Sequence, residues 1–182
     1  MASYTWSHTT NTVEPDAPGG DANDANQLGA FERGDSILDQ RHRLALSGWW
    51  ALPQHFVIGG LATLASARPF NATTGVDNNG DGSITDRPVI NGVVVGRNTF
   101  RGNPLYDFSP FVEREFRLTE SVHLILRAEG FNVFNHPNTI GRNGTYGNAA
   151  GGVANSTFGH ELTGVANVDP GRMFQFQARF IF

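Results

Sequence analysis

The strongest constraint on this chain is the length of its alternating segments and the way they are joined. Apolar and polar residues alternate with period two over residues 41–52, 56–70, 106–118, 122–134 and 172–182. That period belongs to strands rather than helices. The segments run 11 to 15 residues, against ~5–6 for an ordinary globular strand and ~9–11 for a tilted strand crossing a bilayer. "PQH" (Pro53 to His55) and "TES" (Thr119 to Ser121) are short turns, while residues 71–105 and 135–171 are long Gly- and Asn-rich loops. Upstream, "ASYTW" reads as the top of an earlier strand, followed by a long loop over residues 9–39. Long antiparallel strands with short turns at one end and long loops at the other are the layout of outer-membrane barrels. Lipid cannot satisfy an open backbone edge, so such sheets close.

The faces of the segments agree. In residues 41–52 the even positions carry Leu44, Leu46, Trp50 and Leu52, and in 56–70 they include Ile58 and Leu64. In 122–134 the even face holds Val122, Leu124, Leu126, Ala128, Gly130, Asn132 and Phe134, and the odd face includes His123, Arg127 and Glu129. Pairing the first hairpin through "PQH" sets Leu52 near Phe56 and Trp50 near Ile58. Pairing the second so that Leu118 meets Val122 sets Glu113 opposite Arg127. A soluble sandwich would alternate in the same way. Strand length, loop asymmetry and the aromatics near strand ends (Trp49, Trp50, Phe134, Phe180, Phe182) favour an all-β, antiparallel, up-and-down transmembrane barrel. Arg114 interrupts the apolar face near the short-turn end. It can snorkel to headgroups, or a bulge at Pro110 can re-aim it.

Composition excludes several alternatives. The net charge of −4 over 182 residues gives no basic patch for nucleic acid. There is no Cys, hence no disulfide framework or thiolate metal site. No apolar run reaches the ~18 residues of a membrane helix. The start, "MASYTWSHTT", has neither the basic nor the apolar region of a signal peptide, so an export signal for this chain is expected elsewhere.

Several stretches in order resemble the C-terminal barrel of TonB-dependent outer-membrane receptors. They are "LDQRHRLALSGWWALP", "ARPFNATTGVDNNGDGSITDRP", "GRNTFRG", "LRAEGFNVFNH" and "QFQARFIF". The nearest branch is the Oar-like group with a carboxypeptidase-regulatory-like domain. The similarity extends from about Ser3 to Phe182. It implies a barrel of about 22 strands, a plug inside it, energy from TonB and insertion by the barrel assembly machinery. On that reading residues 1–182 supply about the last six strands, without plug or TonB-contact segment. Long loops would be extracellular and short turns periplasmic, with the apolar face on outer-membrane lipid.

Three groups of residues are candidates for function. "DNNGDGSITD" places Asp77, Asn79 and Asp81 at positions one, three and five of a calcium loop and Gly82 at the sharp turn. Ser83 would add a backbone carbonyl and Asp86, at position ten, a closing carboxylate. Position twelve is Pro88 instead of Glu, and a solvated Asp/Asn/Gly turn is the plain alternative. Glu113, Arg127, Glu129 and Arg179 would face the lumen as a structural ladder. "QRHR" (Gln40 to Arg43) sets His42 between two arginines at a strand rim. Phe174, Phe176, Phe180 and Phe182 would face lipid, and the resemblance implies that the terminal aromatic is an assembly signal. No catalytic constellation is present: "GHEL" at Gly159 lacks the second His of a zinc protease, and no phosphate loop or dinucleotide turn occurs. The expected function is capture and import of a bulky nutrient as part of such a receptor. The Oar-like resemblance also allows protein export or surface attachment. A secreted calcium-binding β-domain acting in adhesion is the alternative from another class.

Overall fold

A computed structural model of the chain describes residues 1–12, 33–139, 141–147, 153–162 and 171–182. The described residues contain no helix. Their strands are β1 (Ala2–Trp6), β2 (Thr10–Asn11), β3 (Gly34–Asp35), β4 (His42–Leu52), β5 (Phe56–Ala65), β6 (Pro69–Phe70), β7 (Val89–Ile90), β8 (Val93–Val94), β9 (Phe100–Arg101), β10 (Leu105–Arg117), β11 (His123–Phe131) and β12 (Met173–Ile181). One sheet of six strands, in the order β1-β4-β5-β10-β11-β12, forms a wall. Every pairing in it is antiparallel. The other strands form two-stranded ladders within the loops.

The register obeys one rule: even positions always face even positions. Tyr4 pairs with Leu44, Leu44 with Leu64, Leu64 with Tyr106, Val112 with Ala128, and Ala128 with Phe176. Since side chains alternate along a strand, the even residues of all six strands, most of them apolar, share one face. Both expected hairpin registers are found. Leu52 pairs with Phe56 and Trp50 with Ile58, and Glu113 pairs with Arg127. The two short turns lie at the same end of the sheet, where Glu115 N–H donates to the His55 carbonyl (3.1 Å).

Burial is unlike that of a soluble domain. Only Ala65, Ala72 and Tyr146 are buried apolar residues among those described, while Trp50 is 72 % and Phe176 80 % exposed. A sandwich would lay a second sheet over the even face, and the described residues contain none. The sheet is a wall whose apolar face requires an apolar solvent.

Three expectations need correction. Residues 56–70 do not form one strand. The ladder ends at Ala65, and Pro69–Phe70 pairs with Phe100–Arg101 instead. Pro69 has no N–H to continue a central ladder. Residues 122–134 also stop early, at Phe131, because Asn132 adopts φ 46. Its side chain caps the turn, accepting from His136 N–H (3.0 Å) and donating to the His136 carbonyl (2.9 Å). Finally, no bulge occurs at Pro110: it pairs with Gly60 in unbroken register.

The long loops interlock at the opposite end. An ionic hub ties the first loop to the second. Asp39, 1 % exposed, accepts from Thr9 N–H (3.0 Å), Arg101 (3.0 Å) and Arg41 (3.3 Å). Asp35 accepts from the same two arginines and lies 2.8 Å from His8 Nε2. The second and third loops join through a parallel bridge between Thr73 and Thr145 and an aromatic cluster of Phe70, Phe100, Tyr146 and Phe158, with neighbouring rings 4.9–6.5 Å apart. Within the second loop, β7 and β8 pair as a small hairpin across "VINGVVVG". The described parts of the loops are thus a packed cap, although residues 13–32, 140, 148–152 and 163–170 of the three expected loops lie outside the description.

Two predictions follow from this architecture. Phe176→Arg, at the middle of β12, should destabilise the barrel in lipid vesicles by ~2–4 kcal/mol. Gln175→Arg, one residue earlier and on the other face, where it stands opposite Glu129, should change little, and urea unfolding in vesicles measures both. The second concerns acid. Burial raises the Asp39 pKa, but Thr9 N–H, Arg101 and Arg41 outweigh it, and the net shift is downward. A depressed folded pKa contributes stability above the unfolded value of ~3.9 that is lost as pH falls through the folded value. The cap should therefore loosen below about pH 4. Asp39→Asn should weaken it at neutral pH by ~1–3 kcal/mol, discounted because both arginines are a third or more exposed. It should also flatten the acid limb, as read by hydrogen exchange of residues 33–41.

Candidate functional site

The odd positions of the wall form a mixed face with a continuous polar ladder. Arg127 donates to Glu129 through Nη2 (2.8 Å) and Nε (3.1 Å) and lies 3.6 Å from Glu113. Its guanidinium also stacks on Phe111, 3.9 Å from the ring centroid, a contact that adds ~0.5–2 kcal/mol. Phe111 can lie across β5 because its partner there is Gly59. A Cβ on Gly59 would meet the Phe111 ring at 2.7 Å. Gln177 pairs with Arg127 and Gln175 with Glu129, extending the polar row onto β12. Arg179 occupies the same face opposite Ile125 and has no ion pair among the described residues. Three of the four expected ladder residues therefore interact directly, and Arg179 shares only their face.

Arg114 remains on the even face, between Phe56 and Leu126. Its guanidinium sits over the rings of Phe56 (4.5 Å) and Phe116 (4.6 Å). Two aromatic faces accommodate the charge where the sequence suggested a bulge or simple snorkelling. On β12, Phe174, Phe176 and Phe180 line the even face with Ala178 between them, and Phe180 stacks on Phe182 at 6.4 Å.

The acidic turn is held by its own backbone. Asp77 accepts from Gly80 (2.7 Å), Asp81 (3.2 Å) and Gly82 (2.9 Å) N–H groups. Asn79 accepts from Asp81 N–H (3.0 Å), and Asp81 from Ser83 N–H (2.7 Å). Gly80 (φ 77) and Gly82 (φ 87) take the left-handed conformation the turn needs. Asp86 is 6 % exposed. One of its oxygens accepts from Asn78 N–H (2.5 Å), and Oδ1 has no hydrogen-bond partner among the described residues. Ser83 Oγ is 2.7 Å from Thr85 Oγ1, so only its carbonyl is left for a cation. The donor set fits calcium in oxygen chemistry, with Asp86 Oδ1 the buried donor lacking a partner. Asp77 would have to share its oxygens with the turn.

The hub offers another group of ligand types. His8, Asp35 and Asp39 place ligand atoms within 4.8 Å of one another. Arg41 and Arg101 already occupy those carboxylates, and two guanidinium charges disfavour a divalent cation there. The hub is structural. Sequence reading missed it, although "QRHR" held its signal: Arg41 builds the hub, while His42 Nδ1 meets Tyr4 Oη at 2.8 Å. In "GHEL", Glu161 meets Arg142 (3.4 Å) and the Thr139 hydroxyl (2.8 Å), a tie within the third loop.

A family model described as an outer membrane beta barrel domain matches residues 1–95 and 91–175. Comparison with curated proteins and with solved structures yields no match. The two matched stretches together span nearly the whole wall and cap, and the family accounts for strands that share one apolar face with no layer to cover it: the chain belongs to the outer membrane beta barrel domain family.

Proposed function

We propose that this chain is the C-terminal part of the barrel of a TonB-dependent receptor, of the Oar-like branch, that captures and imports a bulky nutrient. The observation that carries the reading is the asymmetry of the wall. One end has two minimal turns, the first bonded to β10 through the His55 carbonyl and Glu115 N–H, and the other has a packed cap tied by the Asp35–Asp39 hub and the Phe70 cluster. On this reading the cap is extracellular and forms part of the capture surface, and the turns are periplasmic. The mixed face with Glu113, Arg127, Glu129 and Arg179 lines the lumen against the plug. β1 and β12 each have one neighbour in the sheet, and further barrel strands would pair with their open edges. The Phe174, Phe176, Phe180 and Phe182 row faces lipid and is read by the barrel assembly machinery.

The test is made on the full-length receptor in its own cell. Disrupting the gene, or tonB, should abolish growth on the same limiting nutrient. Loss of growth without tonB but not without the gene would remove the transport reading. Deleting Phe182 should lower the outer-membrane level of the protein several-fold, and an unchanged level would leave that residue as an ordinary interfacial aromatic. An adhesion domain, by contrast, would remain soluble without detergent.

Calcium at the acidic turn belongs to the same reading, as a brace for the cap. Its support is Asp86 Oδ1, buried and without a hydrogen-bond partner among the described residues. Calorimetric titration of the purified receptor should give a calcium heat that Asp86→Asn and Asp77→Asn each remove. Absence of heat in the parent protein would make the segment a plain turn.

A further inference from the structure

Where β4, β5 and β10 meet the cap, the mixed face floors a cavity of about 250 Å³. Arg43, Thr63 and Asp107 contribute from the strands, and Arg68, Asn103 and Asn138 from the loops. Arg43 and Thr63 lie on neighbouring rows of odd positions: Arg43 pairs with Ala65, and Thr63 pairs with both Ala45 and Asp107. The floor comes from three central strands of the wall. Strands added beyond β1 or β12 are therefore not needed to complete it.

Two arginines with no ion pair meet in this cavity, whereas Arg117 and Arg179, which also have none among the described residues, lie at the turn end of the same face. Arg41, Arg101, Arg127 and Arg142 each meet a carboxylate. Arg43 and Arg68 meet none among the described residues, and neither side chain makes a hydrogen bond or ring contact there. Two guanidinium groups without counter-ions line one small concave space. Thr63 has a hydroxyl without a hydrogen-bond partner among the described residues, and Asp107 accepts from the Ser109 hydroxyl (2.9 Å). The frame is firm. Asn138 clamps the start of β10, accepting from Tyr106 N–H (2.9 Å) and donating to its carbonyl (3.0 Å). The Arg68 carbonyl accepts from Gly102 N–H (2.9 Å).

We propose that this cavity is a subsite for an oxyanion, taking a carboxylate or phosphate group between Arg43 and Arg68 with the Thr63 hydroxyl as a further donor. Guanidinium groups present planar paired donors that match both anions. The volume is below the ~300–1,000 Å³ of sites that enclose a drug-sized ligand, so it suits a small acid or the acidic tip of a larger molecule. Asp107 in the same cavity opposes multiply charged ligands and favours one with an N–H or ammonium group beside its oxyanion.

The test is calorimetric titration of the full-length protein in detergent and low-chloride buffer, with glycine and phosphoethanolamine, each an oxyanion beside an ammonium group, as separate probes. At least one should bind saturably. Arg43→Ala and Arg68→Ala should each weaken it about tenfold or more, the loss of one charge-assisted contact. Arg43→Lys should recover part of the affinity. Arg117→Ala, on the same face at the turn end, should leave it unchanged. Heat-modifiable gel mobility reports whether each variant is folded. If only glycine binds, the subsite is for carboxylates, and if only phosphoethanolamine binds, for phosphates. Binding of neither, or equal binding in the folded arginine variants, overturns the proposal. Because binding is read without uptake, its failure is separable from failure of the transport reading.

Discussion

Parity of register is the constraint on which the rest of this structure depends. Each of the five strand pairings joins even residues to even residues. A slip of one residue in any hairpin would turn every subsequent strand over. The consequence is energetic. A Leu, Phe or Ile facing an apolar phase contributes ~1.5–3 kcal/mol relative to water, and a slip would exchange Phe174, Phe176 and Phe180 for Gln175, Gln177 and Arg179 on that face. The minimal turns help to hold the register. Gln54 and His55 take φ 64 and 60, a region non-Gly residues seldom enter, and the closed ladders on both sides hold them there.

Much of this was legible because period two is a local signal. Alternation located all five long strands, and turn length gave both hairpin registers, so Glu113 opposite Arg127 followed from counting alone. The signal failed where a side chain acted on the backbone. Asn132 is a lone polar residue on the apolar face of its segment, which continues to Phe134, yet its amide caps the His136 turn and ends β11. Pro69 and Phe70 follow the fifth strand closely enough to read as its end, yet the ladder had already ended at Ala65. Arg114 looked misplaced because a single strand cannot show that Phe56, from the neighbouring hairpin, supplies one of its two aromatic faces.

The cap was illegible for a related reason. A Gly- and Asn-rich composition marks loops but carries no period, and its contacts join residues far apart in sequence. Arg101 reaches Asp39 across 62 positions, and Asn98 donates to the Asp35 carbonyl across 63. The pattern of charges gave a partial hint: an acidic loop over residues 9–39 next to "QRHR" pairs opposite signs at one end of the wall. The choice of partners needed the folded chain.

The hub and the arginine-lined cavity are not independent features. Arg101 binds Asp39 through Nη2 and the Ala67 carbonyl through Nη1 (3.2 Å). The next residue along, Gly102, donates to the Arg68 carbonyl. Residues 67–68 are thus held at two successive carbonyls by residues 101–102, and this ladder forms one wall of the cavity. Asp39 is buried and has three donors, so the network resists local opening at neutral pH. A carboxylate that anchors Arg101 therefore also fixes where Arg68 stands relative to Arg43. In acid, protonation of Asp39 would remove one of the two carboxylates that hold Arg101 and loosen the ladder that places Arg68, so anion affinity at the cavity should fall over the same pH range in which the cap loosens.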